Sequence, residues 1–321
     1  MSDSKNDATT PTSVVNVAQL TRRAFVVAGG VALTTKVVAG GRIPAPAAPA
    51  RRDVSIVRYD KPGREGALIA GSGEPLILVH GIGSTASVWL DIIPNLARHF
   101  RVLAVTLPGH VGGPTQPSGA QLRDHVDFVI DIVENDVEFK GAHVAGFSIG
   151  GSIALEVARA TAIGSACAIG PGNHTYAASL QAANANISAR LAQARAQRDT
   201  LLNAAEDPEI RKSELALIAQ HGDRVPPDAF VAFVNNQLDC TVMEPLLADT
   251  AAFAPLPSTP PCSITLVWGD HDLLFPNDPD ASVARKNVPG AVYIEVPDSG
   301  HVTLIDQPAL TADVIRFTAR R

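Results

Sequence analysis

The chain has 321 residues, is 46% hydrophobic and 18% charged, and carries a formal net charge of −6. That is a globular composition with enough apolar residues for a large core, and it fits one α/β domain with an insertion. Mild acidity without a basic cluster in the body excludes a nucleic-acid surface, and aromatic residues at 5% are too few for a sugar-stacking platform.

The first fifty residues differ from the rest. A polar start leads to Thr21-Arg22-Arg23-Ala24-Phe25, a modest apolar stretch at residues 26–33, and the small-residue run Ile43-Pro44-Ala45-Pro46-Ala47-Ala48-Pro49-Ala50. This pattern resembles a twin-arginine export signal ending in an Ala-x-Ala processing site. The apolar part, residues 26–33, is shorter than the roughly 20 residues a helix needs to cross a bilayer. Residues 1–50 are therefore expected to be a signal peptide and linker. Cleavage after Ala47 or Ala50 would release a periplasmic or secreted protein that meets the export machinery only transiently.

From residue 53 onward, strand-like and helix-like segments alternate, which predicts a parallel sheet covered on both faces. Residues 54–59 and 67–70 read as an opening hairpin, and residues 76–79 as an apolar strand ending at His80-Gly81. A helix is expected over 88–100, a strand over 102–105 and a helix over 121–137. Residues 141–145 form the next strand. The pentapeptide Gly146-Phe147-Ser148-Ile149-Gly150 follows, then a helix over 151–162 and a strand over 163–169.

Residues 171–258 interrupt the alternation. They hold long runs of helix formers (177–205, 208–220 and 228–238) and no strand pattern, which reads as a helical cap over the sheet's C-terminal edge. Leu238, Val242, Leu246 and Leu247 would either line a pocket beneath it or pack the cap helices together. Alternation resumes with strands at 263–268 and 291–296, a helix near 280–286 and a last helix over 302–318. The expected organisation is a core from 51–170 and 259–321 with a cap from 171–258.

A serine on a sharp strand-to-helix turn has its hydroxyl exposed and a helix N-terminus behind it, and its flanking glycines avoid collision with the neighbouring strand and helix. It needs a base, and the base needs an orienting carboxylate. Trp268-Gly269-Asp270-His271-Asp272 and Ser299-Gly300-His301-Val302 supply both, each just after an apolar strand.

In these motifs the chain resembles the α/β-hydrolase fold superfamily. The resemblance runs over residues 53–321 and also includes His80-Gly81-Ile82-Gly83, Pro108-Gly109-His110, Pro276 after Asp272, and Gln307-Pro308. It implies an α/β fold with a mostly parallel eight-stranded sheet, helices on both faces and a helical cap insertion. It further implies Ser148 as nucleophile, His301 as base then acid, and Asp272 as orienting acid, with the backbone N–H groups of Ile82 and Ile149 as the oxyanion hole. Such donors are worth roughly 3 kcal/mol each. His80 would hold the oxyanion loop. Asp270 is the competing acid. Asp298 would cap the final helix, and His110, His174 and His271 could line the pocket. The position of Thr106 usually carries Asp in the family, which leaves the hydrogen bonding of that loop open.

Serine at the elbow argues against alkyl-ester chemistry on a carboxylate. The implied activity is cleavage of a carboxylic ester or lactone through an acyl-enzyme, on a small ester-like substrate and without cofactor. Carbon–carbon bond hydrolysis, cofactor-free haloperoxidation and non-enzymatic ligand reception on the same fold are the alternatives. Flanking acids around His271 lack a second ligand cluster, so no metal is expected. Of the three cysteines, Cys167 reads as inert core, and Cys240 and Cys262 as either a bridge or two buried thiols.

Overall fold

The computed structural model describes residues 54–321 except 60, 117–118 and 251, so the expected export signal lies outside the described residues. Eight strands form one sheet: β1 (Ile56–Arg58), β2 (Leu68–Ala70), β3 (Glu74–Val79), β4 (Phe100–Val105), β5 (His143–Phe147), β6 (Ser165–Ile169), β7 (Ser263–Gly269) and β8 (Val292–Val296). Their order is β1-β2-β4-β3-β5-β6-β7-β8. The opening hairpin is antiparallel and β2 meets β4 antiparallel, while β4, β3, β5, β6, β7 and β8 run parallel. This is the mostly parallel eight-stranded sheet expected from the sequence.

Parallel strands buried on both faces read as continuous apolar runs, because alternate side chains serve opposite layers. In β3, Ile77 and Val79 enter one layer while Leu76 and Leu78 enter the other. The first layer is completed by Val126, Val129 and Val133 of a helix at Leu122–Asn135, and by Ile153 and Val157 of one at Ile149–Ala160. Trp89, Ile93, Leu96 and the C-terminal residues Val314 and Ile315 complete the second.

Eleven α-helices are labelled in chain order: α1 (Ile93–Leu96), α2 (Leu122–Asn135), α3 (Ile149–Ala160), α4 (Ala177–Ala196), α5 (Arg198–Asn203), α6 (Pro208–Leu215), α7 (Pro227–Asp239), α8 (Met243–Ala248), α9 (Ser282–Asn287), α10 (Thr303–Asp306) and α11 (Pro308–Ala319). Two expected helices are divided. Over 88–100 there is only a 3₁₀ turn at Ala86–Trp89 and the short α1, with Pro94 in its first turn, and Phe100 already opens β4 beside Glu74. Proline lacks an N–H and its ring clashes with the preceding turn, so it can only start a helix. For the same reason Pro308 opens α11 and holds Gln307 out of helical geometry at φ −132° and ψ 59°, which splits the last helix at that point. Between β6 and β7 the described residues form helices α4 to α8 and no strand.

All three cysteines are free thiols, so Cys240 and Cys262 are not bridged. Burial pushes the Cys167 thiol up to about 12 and that of Cys262 to about 11, which keeps both as unreactive thiols.

Candidate active site

Because β3, β5, β6, β7 and β8 are parallel, their C-terminal ends share one edge of the sheet, and the loops leaving that edge converge. Ser148 leaves β5, Asp272 follows β7, His301 follows β8, and the loop containing Ile82 leaves β3. Residues far apart in sequence are thus gathered by topology alone.

Ser148 sits at the turn from β5 into α3 with φ 56° and ψ −124°, a conformation a non-glycine residue rarely adopts. Its N–H donates to the Ile169 carbonyl at 2.8 Å, which ties the turn to β6. The turn closes only because its flanks are glycines. A Cβ at Gly146 would lie 2.2 Å from the Gly150 carbonyl oxygen, and one at Gly150 would lie 2.2 Å from that of Val79. α3 begins at Ile149, so the positive end of its dipole lies directly behind the serine.

His301 Nδ1 donates to Asp272 Oδ2 at 2.8 Å, with both residues buried. The other carboxylate oxygen, Oδ1, accepts from the backbone N–H groups of Leu274 (2.9 Å) and Phe275 (2.8 Å). An ionised carboxylate only accepts, so the imidazole proton is on Nδ1 and the Nε2 lone pair is free. Nε2 is buried and has no hydrogen-bond partner among the described residues. The Phe275 ring packs edge-on to the imidazole at 5.4 Å, and the Trp268 indole N–H holds the Phe275 carbonyl at 2.7 Å. Gly170 leaves room for this pair, since a Cβ there would lie 2.8 Å from His301 Cε1 and 3.6 Å from Asp272 Oδ2.

Asp270, the competing acid, instead accepts from the Ser299 N–H at 3.0 Å and so braces the loop that carries His301. Asp298 does not cap the final helix. Its carboxylate bonds His221 Nε2 at 2.8 Å, in the segment between β6 and β7. The N-cap position of α10 is Val302, which receives no side-chain cap bond, while the Asp298 carboxylate is engaged by His221. Sequence reasoning missed Asp306. Its buried carboxylate accepts from Gly300 N–H (2.8 Å), Gln220 N–H (3.0 Å) and His221 N–H (2.8 Å), joining the histidine loop to the insertion. Its place five residues after His301, just before Gln307-Pro308, was the available signal.

Ile82 lines the same cavity as Ser148 and Ile149 follows Ser148 in the chain, and neither amide donates to a backbone carbonyl outside its own element among the described residues. The loop carrying Ile82 is held from below. Leu107 N–H donates to His80 Nε2 at 3.0 Å, which fixes the proton on Nδ1, and Nδ1 donates to the Gly81 carbonyl at 2.7 Å. A peptide plane is rigid, so fixing the Gly81 carbonyl also aims the Ile82 N–H on its far side. Thr106 accomplishes with a hydroxyl what the open position required. Its Oγ1 accepts from Ala86 N–H at 3.1 Å and donates to the Gly66 carbonyl at 2.8 Å.

A cavity of about 160 Å³ lies between the sheet edge and the insertion. Ser148, His301 and Ile82 line it from below; Ile187, Leu191, Phe233 and Gln237 line it from above. Val242, Leu246 and Leu247 pack into the core instead, and Leu246 and Leu247 reach only a smaller space of about 30 Å³ that also borders Ser148. None of His110, His174 and His271 lines the cavity that Ser148 and His301 share. His271 is exposed, and His174 is buried with Nε2 3.3 Å from Glu156 Oε1. No group of three or more metal-ligating side chains occurs among the described residues.

His110 is buried against His80 and His125, with ring centroids 4.8 and 5.8 Å away, and burial pushes its imidazole down from the ordinary 6.5 to about 4. Between those values the unfolded chain binds a proton that the folded chain refuses, so stability falls as the pH falls through this window. A gap of this size corresponds to about 3 kcal/mol. Thermal melting followed from pH 6.5 to 4.5 should show a shallower loss for His110→Gln than for wild type. Some slope will remain, because burial also holds His80 well below its ordinary value. Equal slopes would refute the assignment.

A doubly covered parallel sheet, a serine elbow and a buried carboxylate–imidazole pair at the same strand ends define an α/β hydrolase architecture. The chain belongs to the Alpha/beta hydrolase family, whose profile matches residues 76–314. Among curated relatives it is 34% identical over 87 residues to (E)-2-((N-methylformamido)methylene)succinate hydrolase of Acinetobacter baylyi, a match covering 27% of this chain and 33% of that protein. It is 38% identical over 93 residues to the pimeloyl-[acyl-carrier protein] methyl ester esterase of Sodalis glossinidius, covering 28% and 33%. The chain thus spans about a third of the length of these relatives. Among solved structures, the enol-lactonase of Burkholderia xenovorans superposes with TM-score 0.58 at 17% identity, over 85% of this chain and 99% of that one. An epoxide hydrolase of Bacillus megaterium gives TM-score 0.60 at 16% identity, over 80% and 97%. At these identities the structures share the fold.

Proposed function

We propose that this chain is a serine hydrolase that cleaves a carboxylic ester or lactone through an acyl-enzyme on Ser148. The observation that carries the reading is the buried Asp272–His301 hydrogen bond, which leaves the Nε2 lone pair unpartnered beside the cavity lined by Ser148. His301 accepts the hydroxyl proton as Ser148 attacks the acyl carbon, and the Ile82 and Ile149 amides hold the developing oxyanion. His301 returns the proton to the leaving alcohol, and the same base then activates water to release the acid. Residues 171–258 serve as the cap that excludes bulk water, and their aliphatic side chains fit a moderately apolar substrate. A serine nucleophile forms an acyl ester and not the alkyl ester of carboxylate-based enzymes, so epoxide opening is not part of the reading. The test is turnover of short-chain activated esters by the purified chain, with Ser148→Ala as the control.

The twin-arginine pattern at Arg22 and Arg23 supports export of the folded hydrolase to the periplasm or medium. Replacing both with Lys should retain the protein in the cytoplasm of a producing cell, as read by fractionation. Unchanged export would remove this part of the proposal.

A further inference from the structure

Gln237 lies on α7, in the insertion, yet it contacts the loop that carries Ile82. Its Nε2 donates to the Ile82 carbonyl at 3.2 Å, across 155 residues of sequence. The amide also lies flush on Gly83, where φ is +67°. A Cβ built there would fall 2.6 Å from Gln237 Nε2 and 2.3 Å from Met243 Cε. Gln237 lines the cavity together with Ser148 and His301.

Two consecutive peptide planes flank Ile82. The Gly81 carbonyl of the first is held by His80, a core residue, and the Ile82 carbonyl of the second is held by Gln237. Between the two planes the only freedom left is rotation about the two backbone bonds of Ile82, and fixing both carbonyls fixes both rotations. The His80 bond aims the Ile82 N–H through the plane they share, and the Gln237 bond, by holding the next plane, braces that plane against turning. Gly83 permits this approach, because a side chain there would push Gln237 and Met243 away.

We propose that Gln237 is a positioning residue for the oxyanion hole, so that the Ile82 donor keeps its aim when the insertion is seated on the loop. The inference rests on the proposed serine-hydrolase reading. Oxyanion donors act on the transition state far more than on bound substrate, so a mis-aimed donor lowers kcat and leaves KM nearly unchanged. A residue that merely formed the cavity wall would move KM instead.

The experiment compares wild type, Gln237→Met, Gln237→Glu and Ser148→Ala in two assays: steady-state hydrolysis of an activated short-chain ester, and the rate of covalent labelling by a fluorophosphonate, whose P=O oxygen occupies the oxyanion position. Gln237→Met keeps the length without the donor, and Gln237→Glu keeps the shape but opposes the Ile82 carbonyl with an acceptor. Both variants are expected to lose about 10- to 100-fold in kcat and in labelling rate, the scale of a small misplacement of a catalytic group. KM should stay within about twofold. Melting curves identify any variant that fails to fold, and the other then decides the question. Labelling of folded Gln237 variants at the wild-type rate, or a change confined to KM, would overturn the inference while leaving Ser148 as nucleophile. Failure of wild type to label at Ser148 would remove the catalytic reading and this inference with it.

Discussion

Ser148→Ala is expected to lower kcat for ester hydrolysis by about 10⁵- to 10⁶-fold, the loss seen when a triad nucleophile is removed. The side chain is only partly buried, and the turn that carries it is set by glycine contacts and by the backbone bond to Ile169, neither of which involves the hydroxyl. The melting temperature should therefore change little. Substrate affinity should survive as well, because most of the cavity wall comes from other side chains. Retained turnover in a folded Ser148→Ala protein would place the chemistry elsewhere.

Asp272→Asn is expected to cost about 10⁴-fold in kcat, the effect of enforcing the wrong imidazole tautomer. The geometry dictates which amide atom goes where. Oδ1 accepts from two backbone N–H groups, so the asparagine carbonyl oxygen must take that place and its NH₂ must face His301 Nδ1. Nδ1 would then have to accept, moving the ring proton to Nε2 and removing the base. Volume and burial are preserved, so the fold should hold. Near-wild-type activity would show that Asp272 does not orient the base and would return Asp270 to consideration.

Much of this site was legible in the sequence because it is local. The Gly-x-Ser-x-Gly pentapeptide, Asp272 after one apolar strand and His301 after another each identify themselves by a few neighbours, and parallel topology does the rest. The divisions of the helices expected over 88–100 and 302–318 were missed, although Pro94 and Pro308 stand at both breaks. What the sequence did not disclose is how the insertion meets the core. Gln237 reaches Ile82 across 155 residues, and Asp306 reaches Gln220 across 86. No periodicity or short motif encodes such a pairing, because it depends on how a helical segment settles on a sheet edge. Asp298 resembles a helix cap in sequence for the same reason: its partner, His221, is 77 residues away. The aliphatic residues of α8 were an even choice between pocket and packing. The structure sends Leu246 and Leu247 mainly into the core and leaves the cavity to Leu191 and Phe233.

The central claim is that Ser148 becomes acylated during turnover. Acid quenching of the chain within the first turnovers of an activated short-chain ester, followed by intact-mass measurement and peptide mapping, tests it most directly. One acyl group per chain is expected, carried on the peptide containing Ser148 and absent from Ser148→Ala. Turnover with no acyl adduct at Ser148, or with an adduct on another residue, would contradict it.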